Sequence, residues 1–127
     1  MSTHMYNKPN IIPAGTVMNA NLTSLAMQLQ NALFYNIQVS YTGTPTGSFS
    51  LQASSDNSAT KTAADQVPYA TLNWTNVPSS AQAVTSAGSV MFNVEWASYN
   101  FVRLIYTDSS GGASTAVITE CTMNVKG

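Results

Sequence analysis

The sequence holds few side chains that could carry out acid, base or nucleophilic chemistry. His4 is its one histidine and Cys121 its one cysteine. Because this one histidine lies in a proline-containing N-terminal arm, we expect no histidine-based triad, and a two-histidine metal site would need a second histidine that the chain lacks. A reactive thiolate needs a base and an activating environment. Because no ordered histidine is available as that base, we interpret Cys121 as a small core or semi-buried residue.

The carboxylates do not cluster along the chain. They are Asp56, Asp65, Glu95, Asp108 and Glu120. Two of them could still be brought together by the fold as the acid pair of a glycosidase, which is the one catalytic alternative that remains open. The sequence therefore predicts no enzymatic activity, no metal and no cofactor.

Arg103 is the one charged residue in the most apolar segment, "FVRLIYT". A charge in such a segment must be paired or must reach the rim of the core. Glu95 lies across the short segment 97–100, so we predict a structural ion pair between Arg103 and Glu95. The alternative is that Arg103 contacts a ligand or another subunit.

Aromatic residues with polar tips could serve either the core or a sugar-stacking platform. The candidates are Tyr41, Tyr69, Trp74, Trp96, Tyr99 and Tyr106. Core packing is the favoured role for most of them, and Trp74 or Tyr99 would do the stacking if the protein bound carbohydrate.

Composition narrows the classes of partner. Of the 127 residues only 7% are charged, against about 25% in typical soluble domains, and the formal net charge is −1. No basic patch is available for nucleic acid. A neutral polar surface suits contact with protein, because few ions must be desolvated. The chain also has no run of about 18 apolar residues and no signal-peptide order at its start, which predicts neither a membrane span nor export by that route.

Alternating apolar and polar residues mark two neighbouring strands. Residues 35–42, "YNIQVSYT", and residues 48–54, "SFSLQAS", have the period of two of half-buried antiparallel strands. The intervening "TGTPTG" predicts a hairpin loop in which Gly43 and Gly47 take positive φ and Pro45 stiffens the crossing.

The later segments continue the β pattern. Residues 22–33 fit a helix or a strand, and the β character of the rest favours a strand. "YATLNWTNV", "VMFNVEW" and "ASTAVITECTMNV" predict further strands, residues 54–66 predict a polar loop, and "FVRLIYT", apolar on both faces, predicts a central strand. Seven or eight strands at short intervals indicate an all-β fold, an antiparallel β-sandwich of jelly-roll-like type.

The first fourteen residues differ from the rest. They contain Pro9 and Pro13 and no alternation, which predicts an extended N-terminal arm over residues 1–14 that orders against a neighbour. Residues 15–127 are expected to form a single β-sandwich domain.

The order of several motifs resembles a known class of protein. "YNIQVSYTGTPTGSFSLQASSDN", "LNWTNVPSS", "AGSVMFNV", "YNFVRLIYTDSSGGASTAVI" and "NVKG" follow one another between residues 35 and 127. This order resembles small virion structural proteins of tailed bacteriophages. The resemblance implies a β-sandwich that decorates or cements the capsid, and it implies no catalytic residues.

These observations favour a capsid decoration or cement protein. It would bind and stabilise the shell of the major capsid protein, act as a homo-oligomer (a dimer or a trimer), and reside in the virion after synthesis in the host cytoplasm, where a free cysteine persists. The predicted interface comprises the arm residues Tyr6, Lys8, Pro9, Ile11, Ile12 and Pro13 and the hairpin residues Thr44, Pro45 and Thr46. A carbohydrate-binding or tail-associated β-sandwich module is the alternative.

Overall fold

The strands of the protein form two antiparallel sheets. The structure is a computed structural model that describes residues 5–29, 34–55, 73–95, 97 and 99–126. Within these residues there are ten strands and no helix. They are β1 (Met5–Pro9), β2 (Leu22–Thr23), β3 (Met27–Gln28), β4 (Phe34–Thr42), β5 (Gly47–Ser54), β6 (Thr75–Asn76), β7 (Gln82–Val84), β8 (Gly88–Val94), β9 (Phe101–Asp108) and β10 (Val117–Lys126).

Sheet A has the strand order β1-β10-β4-β8. β10 pairs with β1 on one side and with β4 on the other, and its register shifts between Ile118 and Glu120. The opposite edge strand, β8, pairs with β4 so that Phe92 lies opposite Ile37. The outer edge of β1 carries Lys8 and ends in Pro9, two residue types that discourage pairing with a further strand.

Sheet B is centred on β9 and β5. β5 pairs along the whole length of β9, from Gly47 opposite Asp108 to Ser54 opposite Phe101. The free side of β9 pairs with β2 and β3, and the free side of β5 pairs with β6 and β7. Both edges of sheet B are therefore made of strands of only two or three residues.

The core lies between the two sheets. Sheet A contributes Ile37, Val39 and Met123, each 0% exposed, and sheet B contributes Phe49 and Leu104, also 0% exposed. Along β4 and β5 these buried positions alternate with polar ones, as the pleat requires, whereas β9 also carries the apolar Ile105 on its outer face. The alternation that predicts β4 and β5 from the sequence is thus the alternation between core and solvent.

The all-β class and the sandwich of two antiparallel sheets are confirmed. β9 is a central strand, as its apolar residues on both faces predict. Residues 22–29 contribute the two strands β2 and β3 rather than a helix, whereas residues 30–33 lie outside the described residues. The ten strands exceed the predicted seven or eight, because β1 lies in the segment predicted to be an arm, residues 22–29 form two short strands instead of one, and the three-residue β7 is too short to show a period. Of "YATLNWTNV", only Thr75–Asn76 is a strand among the described residues.

The N-terminal segment is the main departure from expectation. Met5–Pro9 is extended, but it is hydrogen-bonded into sheet A beside β10. Ile11 and Ile12 follow at 1% and 2% exposure, as part of the core, and the Ile11 amide donates to the Cys121 carbonyl at 3.1 Å. Two prolines do not prevent this, because Pro9 ends an edge strand, where a missing amide proton costs no ladder bond. Residues 1–4 lie outside the described residues. In the part of the chain that is described, no helix could cross a membrane.

Candidate interaction surface

The strand registers divide the sandwich into two ends. Thr42 lies opposite Val117 and Gly47 lies opposite Asp108, so the β4–β5 and β9–β10 loops lie at the same end. Residues 13–21 join them there through a bridge between Val17 and Val117. We call this the hairpin end, and we define it by residues 13–21, 43–46, 85–87 and 109–116. The opposite end, where β4 begins and β8 and β10 end, is called the terminal end.

The hairpin end carries no charge in its loops. None of its four defining segments contains Asp, Glu, Lys, Arg or His. Its exposed side chains are small or uncharged, and they include Val17, which is 40% exposed and is one of two large hydrophobic residues exposed in the described chain. Such a surface can be covered by another protein with little cost of ion desolvation.

Close packing fixes the β4–β5 loop at the hairpin end. Gly43 has φ +88 and lies so near Ala116 that a built Cβ would be 2.8 Å from the Ala116 Cα. The Ser109 amide donates to the Thr46 carbonyl at 2.8 Å, and Pro45 is buried. The loop is therefore attached to the β9–β10 loop and does not project as an independent tip.

The prediction of positive φ is confirmed at Gly43 and is wrong at Gly47. A Cβ at Gly47 would instead overlap the Thr107 carbonyl oxygen and lie 2.7 Å from the Tyr106 hydroxyl oxygen. Glycine is required here by the close approach of two strands, whereas Gly43 is required by both backbone conformation and space.

Asp108 is the charged residue beside the hairpin end, and its carboxylate is satisfied within its own turn. Oδ1 accepts from the Ser110 amide at 2.9 Å and from the Ser110 hydroxyl at 2.6 Å. Oδ2 accepts from the Gly112 amide at 3.1 Å. These hydrogen bonds, those of Ser110 first, lower the pKa of Asp108. The Asp108 carboxylate thus stabilises the turn at residues 108–112.

The predicted interface residues separate into three groups. Pro13, Thr44 and Thr46 are exposed and lie together at the hairpin end. Ile11, Ile12 and Pro45 are buried within this chain, so the prediction that they contact a neighbour is wrong. The remaining three, Tyr6, Lys8 and Pro9, belong to the edge strand β1, and the Tyr6 side chain lies outside the described residues.

The predicted ion pair of Arg103 with Glu95 is also wrong. Arg103 lies on the outer face of sheet B, where its Nε donates to Gln52 Oε1 at 2.8 Å and its guanidinium carbon is 4.3 Å from the centre of the Trp74 ring. Glu95 follows β8 in the other sheet. Partial burial lowers the pKa of Arg103. A neutral acceptor and an aromatic face replace the carboxylate that the sequence predicts.

The aromatic residues do not make a stacking platform among the described side chains, none of whose rings is fully exposed. Tyr35 is buried, and its hydroxyl oxygen is 2.6 Å from that of the half-buried Tyr99. Trp74 is half-buried beneath Arg103. Tyr41 and Tyr106 are core residues, and burial raises the pKa of each. Tyr69 and Trp96 lie outside the described residues.

The candidate catalytic groups remain apart. Cys121 is 0% exposed, and burial raises its pKa to about 12. Glu95 lies at the terminal end, Asp108 beside the hairpin end, and Glu120 on the outer face of sheet A. In the described ranges there is no group of three or more potential metal ligands, while Asp56 and Asp65 lie outside those ranges.

A ladder of four asparagines crosses the outer face of sheet A towards the terminal end. Asn7 lies opposite Asn124, Asn124 opposite Asn36, and Asn36 opposite Asn93. Asn7 Nδ2 donates to Asn124 Oδ1 at 2.6 Å, and Asn124 Nδ2 donates to Asn36 Oδ1 at 3.2 Å. The sequence shows each asparagine at a polar position, but only the register places them in one row.

Comparisons with known proteins show a likeness of fold alone. No protein-family model matches the sequence, and no curated protein matches it. A solved structure of the Tobacco streak virus coat protein is similar, with a TM-score of 0.49 and 6% sequence identity over 97% of this chain and 86% of that chain. At this level of similarity no residue role can be transferred from that protein.

Proposed function

We propose that this protein is a virion structural protein of a tailed bacteriophage, a decoration or cement protein that binds the shell of the major capsid protein through its hairpin end. The observation that carries the proposal is the absence of charge from all four segments of that end. The motif order of residues 35–127 supports the choice of partner.

The internal hydrogen bonding of the hairpin end favours lasting contact. The Thr46 carbonyl and the Asp108 carboxylate already have donors within the chain. Little conformational freedom is then lost on association, which lowers the cost of binding. A single durable contact needs on the order of 1,000 Å² of buried surface. A dimer or trimer of this chain would reach the same strength by engaging several shell subunits at once.

Co-sedimentation with assembled shells tests the proposal. Shells of the major capsid protein from the same genome are mixed with the intact chain, and pelleted protein is measured. Thr46→Asp and Val17→Asp each place a carboxylate on the hairpin end, at positions whose side chains are exposed. Burying that charge should weaken binding about tenfold or more.

Asn76→Asp is the matched control. Asn76 is exposed near the terminal end of sheet B, and its Oδ1 accepts from Gln52 Nε2 at 3.0 Å, a bond that aspartate keeps. This variant should pellet with shells as the unmodified chain does. Absence of the chain from the shell pellet, or equal binding by all three variants, would refute attachment through the hairpin end.

Tail association would use the same neutral end on a different partner. Antibody labelling of intact particles distinguishes a head location from a tail location. Antibodies against a decoration protein bind the head surface, whereas antibodies against a tail protein bind the tail. Carbohydrate binding through Trp74 and Tyr99 has less support, since Arg103 covers the Trp74 ring and Tyr35 engages the Tyr99 hydroxyl.

A further inference from the structure

A depression lies at the terminal end of sheet A, where the asparagine ladder reaches β8. Its volume is about 300 Å³, at the small end of the range for ligand sites. Asn36, Asn93 and Asn124 line it together with Phe34 and Glu95. It lies at the opposite end of the strands from the proposed shell contact, so it would stay open on a bound protein.

The hydrogen bonds of the ladder all run in one direction. Asn7 donates to Asn124, and Asn124 donates to Asn36. Within the described residues the Asn36 amide nitrogen has no acceptor, and the Asn93 side chain has neither donor nor acceptor. Asn36 lines the depression with its oxygen engaged by Asn124, so its N–H groups remain available to a ligand there, next to the amide of Asn93.

Glu95 provides the complementary acceptor. It is exposed at the end of β8, two residues after Asn93. Among the described side chains that line the depression, Glu95 is the one that carries a charge, so an anionic ligand would meet a carboxylate with no described cation beside it. The site thus offers amide donors, amide acceptors and one carboxylate to a ligand that carries no negative charge.

We infer that this depression binds a neutral sugar residue. A sugar hydroxyl donates one hydrogen bond and accepts others, so neighbouring hydroxyls can accept from Asn36 and Asn93 while donating to Glu95. The half-buried Phe34 adds apolar surface at the wall, which suits the C–H face of a pyranose ring. A site of this size fits one sugar ring, and we expect an affinity of about 1 mM for a free monosaccharide.

Titration followed by NMR tests this site on the intact chain. The probes are the methyl glycosides of glucose, galactose, mannose and N-acetylglucosamine, and the signals are the side-chain amides of the asparagines. Saturable shifts of the Asn36 and Asn93 amides by at least one glycoside are expected. Absence of shifts with all four sugars, up to the limit of their solubility, would overturn the inference.

Asn36→Asp is the decisive variant. The remaining oxygen still accepts from Asn124, but the free N–H groups become a second acceptor, so sugar affinity should fall about tenfold or more. Gln38→Ala is its control, on the same face of β4 one rung further along, and it should bind as the unmodified chain does. Equal binding by Asn36→Asp would refute the site.

A peptide ligand is the competing outcome. In that case an asparagine-rich peptide shifts the signals of the same amides while none of the sugars does. That result would show that the depression binds a protein segment and would refute the sugar site. Shell co-sedimentation of Asn36→Asp separates this inference from the proposed function, because loss of sugar binding should leave attachment through the hairpin end unchanged.

Discussion

The guanidinium carbon of Arg103 lies 4.3 Å from the centre of the Trp74 ring, on the outer face of sheet B. Trp74 also packs against the buried pair Ala26 and Phe101, which forms a second, smaller hydrophobic cluster. Arg103 therefore covers a small hydrophobic cluster outside the main core. Its Nε donates a hydrogen bond to Gln52 Oε1.

Replacing Arg103 with alanine should cost about 1–2 kcal/mol in the free energy of unfolding, because one cation–π contact and one hydrogen bond are lost. Urea unfolding measures the change. Arg103→Lys keeps the charge but loses the planar stacking on Trp74. Its free energy of unfolding should lie between those of the unmodified chain and of Arg103→Ala. A loss of about 3–5 kcal/mol in the alanine variant would instead indicate that an acidic partner is left buried and unpaired.

Gly47→Ala should destabilise the protein more than Gly111→Ala. Gly111 has φ +68 with open space around its Cα, so alanine there pays only the left-handed backbone cost of about 1–2 kcal/mol. Alanine at Gly47 must displace the Thr107 carbonyl, so its cost should exceed that of Gly111→Ala. The melting temperatures of the two variants measure this difference. A smaller loss of stability in Gly47→Ala than in Gly111→Ala would contradict the close contact between Gly47 and the Thr107 carbonyl.

Deleting residues 1–13 should prevent stable folding. The deletion removes β1 and the buried Ile11 and Ile12. Each isoleucine truncated to alanine should itself cost about 2–5 kcal/mol. Pro13→Ala is the control, because Pro13 is exposed and its carbonyl, which accepts from the Thr16 amide, is retained. Circular dichroism during heating reports the outcome, and an unchanged melting temperature after the deletion would show that the segment contributes little to the core.

Stability should fall in alkaline solution. Burial raises the pKa of Cys121 from 9.0 to about 12 and also raises the pKa of Tyr35. Above pH 9 the unfolded chain loses the thiol proton while the folded chain keeps it, so unfolding is favoured increasingly until the pH passes about 12. Below pH 9 both states are protonated and this effect vanishes.

Urea unfolding at about pH 7 and about pH 10 measures that dependence. Cys121→Ala removes the thiol contribution, so the loss between the two pH values should be smaller in this variant. In the native protein the thiol should react slowly with alkylating reagents, at a rate set by opening of the fold. Rapid labelling of folded protein would contradict its burial.

The sequence predicts the parts of this fold that depend on local periodicity. The alternation over residues 35–54 identifies β4 and β5 with their inward faces, and the apolar run "FVRLIYT" identifies the central strand β9. Cys121 is correctly placed in the core. These features are local because a strand with one buried face must repeat every two residues.

The features that the sequence does not predict depend on pairing between distant residues. Ile11 and Ile12 look like part of a free arm until β10 is placed beside β1. The sequence predicts a carboxylate partner for Arg103, whereas the fold brings Gln52 of β5 and Trp74, which directly precedes β6, to its guanidinium. The asparagine ladder likewise joins four strands, and its existence depends on a register that no single segment contains.

The position of β10 between β1 and β4 has a consequence for the order in which the protein folds. Both neighbours of β10 precede it by many residues, so sheet A cannot be completed before residues 117–126 have been synthesised, although β4 and β8 can pair earlier. Until then β1 has no strand partner and one edge of β4 is unpaired, and such edges are prone to association with other chains. Pairing between strands so far apart in the sequence costs loop-closure entropy before the strand contacts can stabilise the sheet. We therefore expect sheet A to form slowly. Completion of sheet A thus waits for β10, whichever of the other strands have already paired.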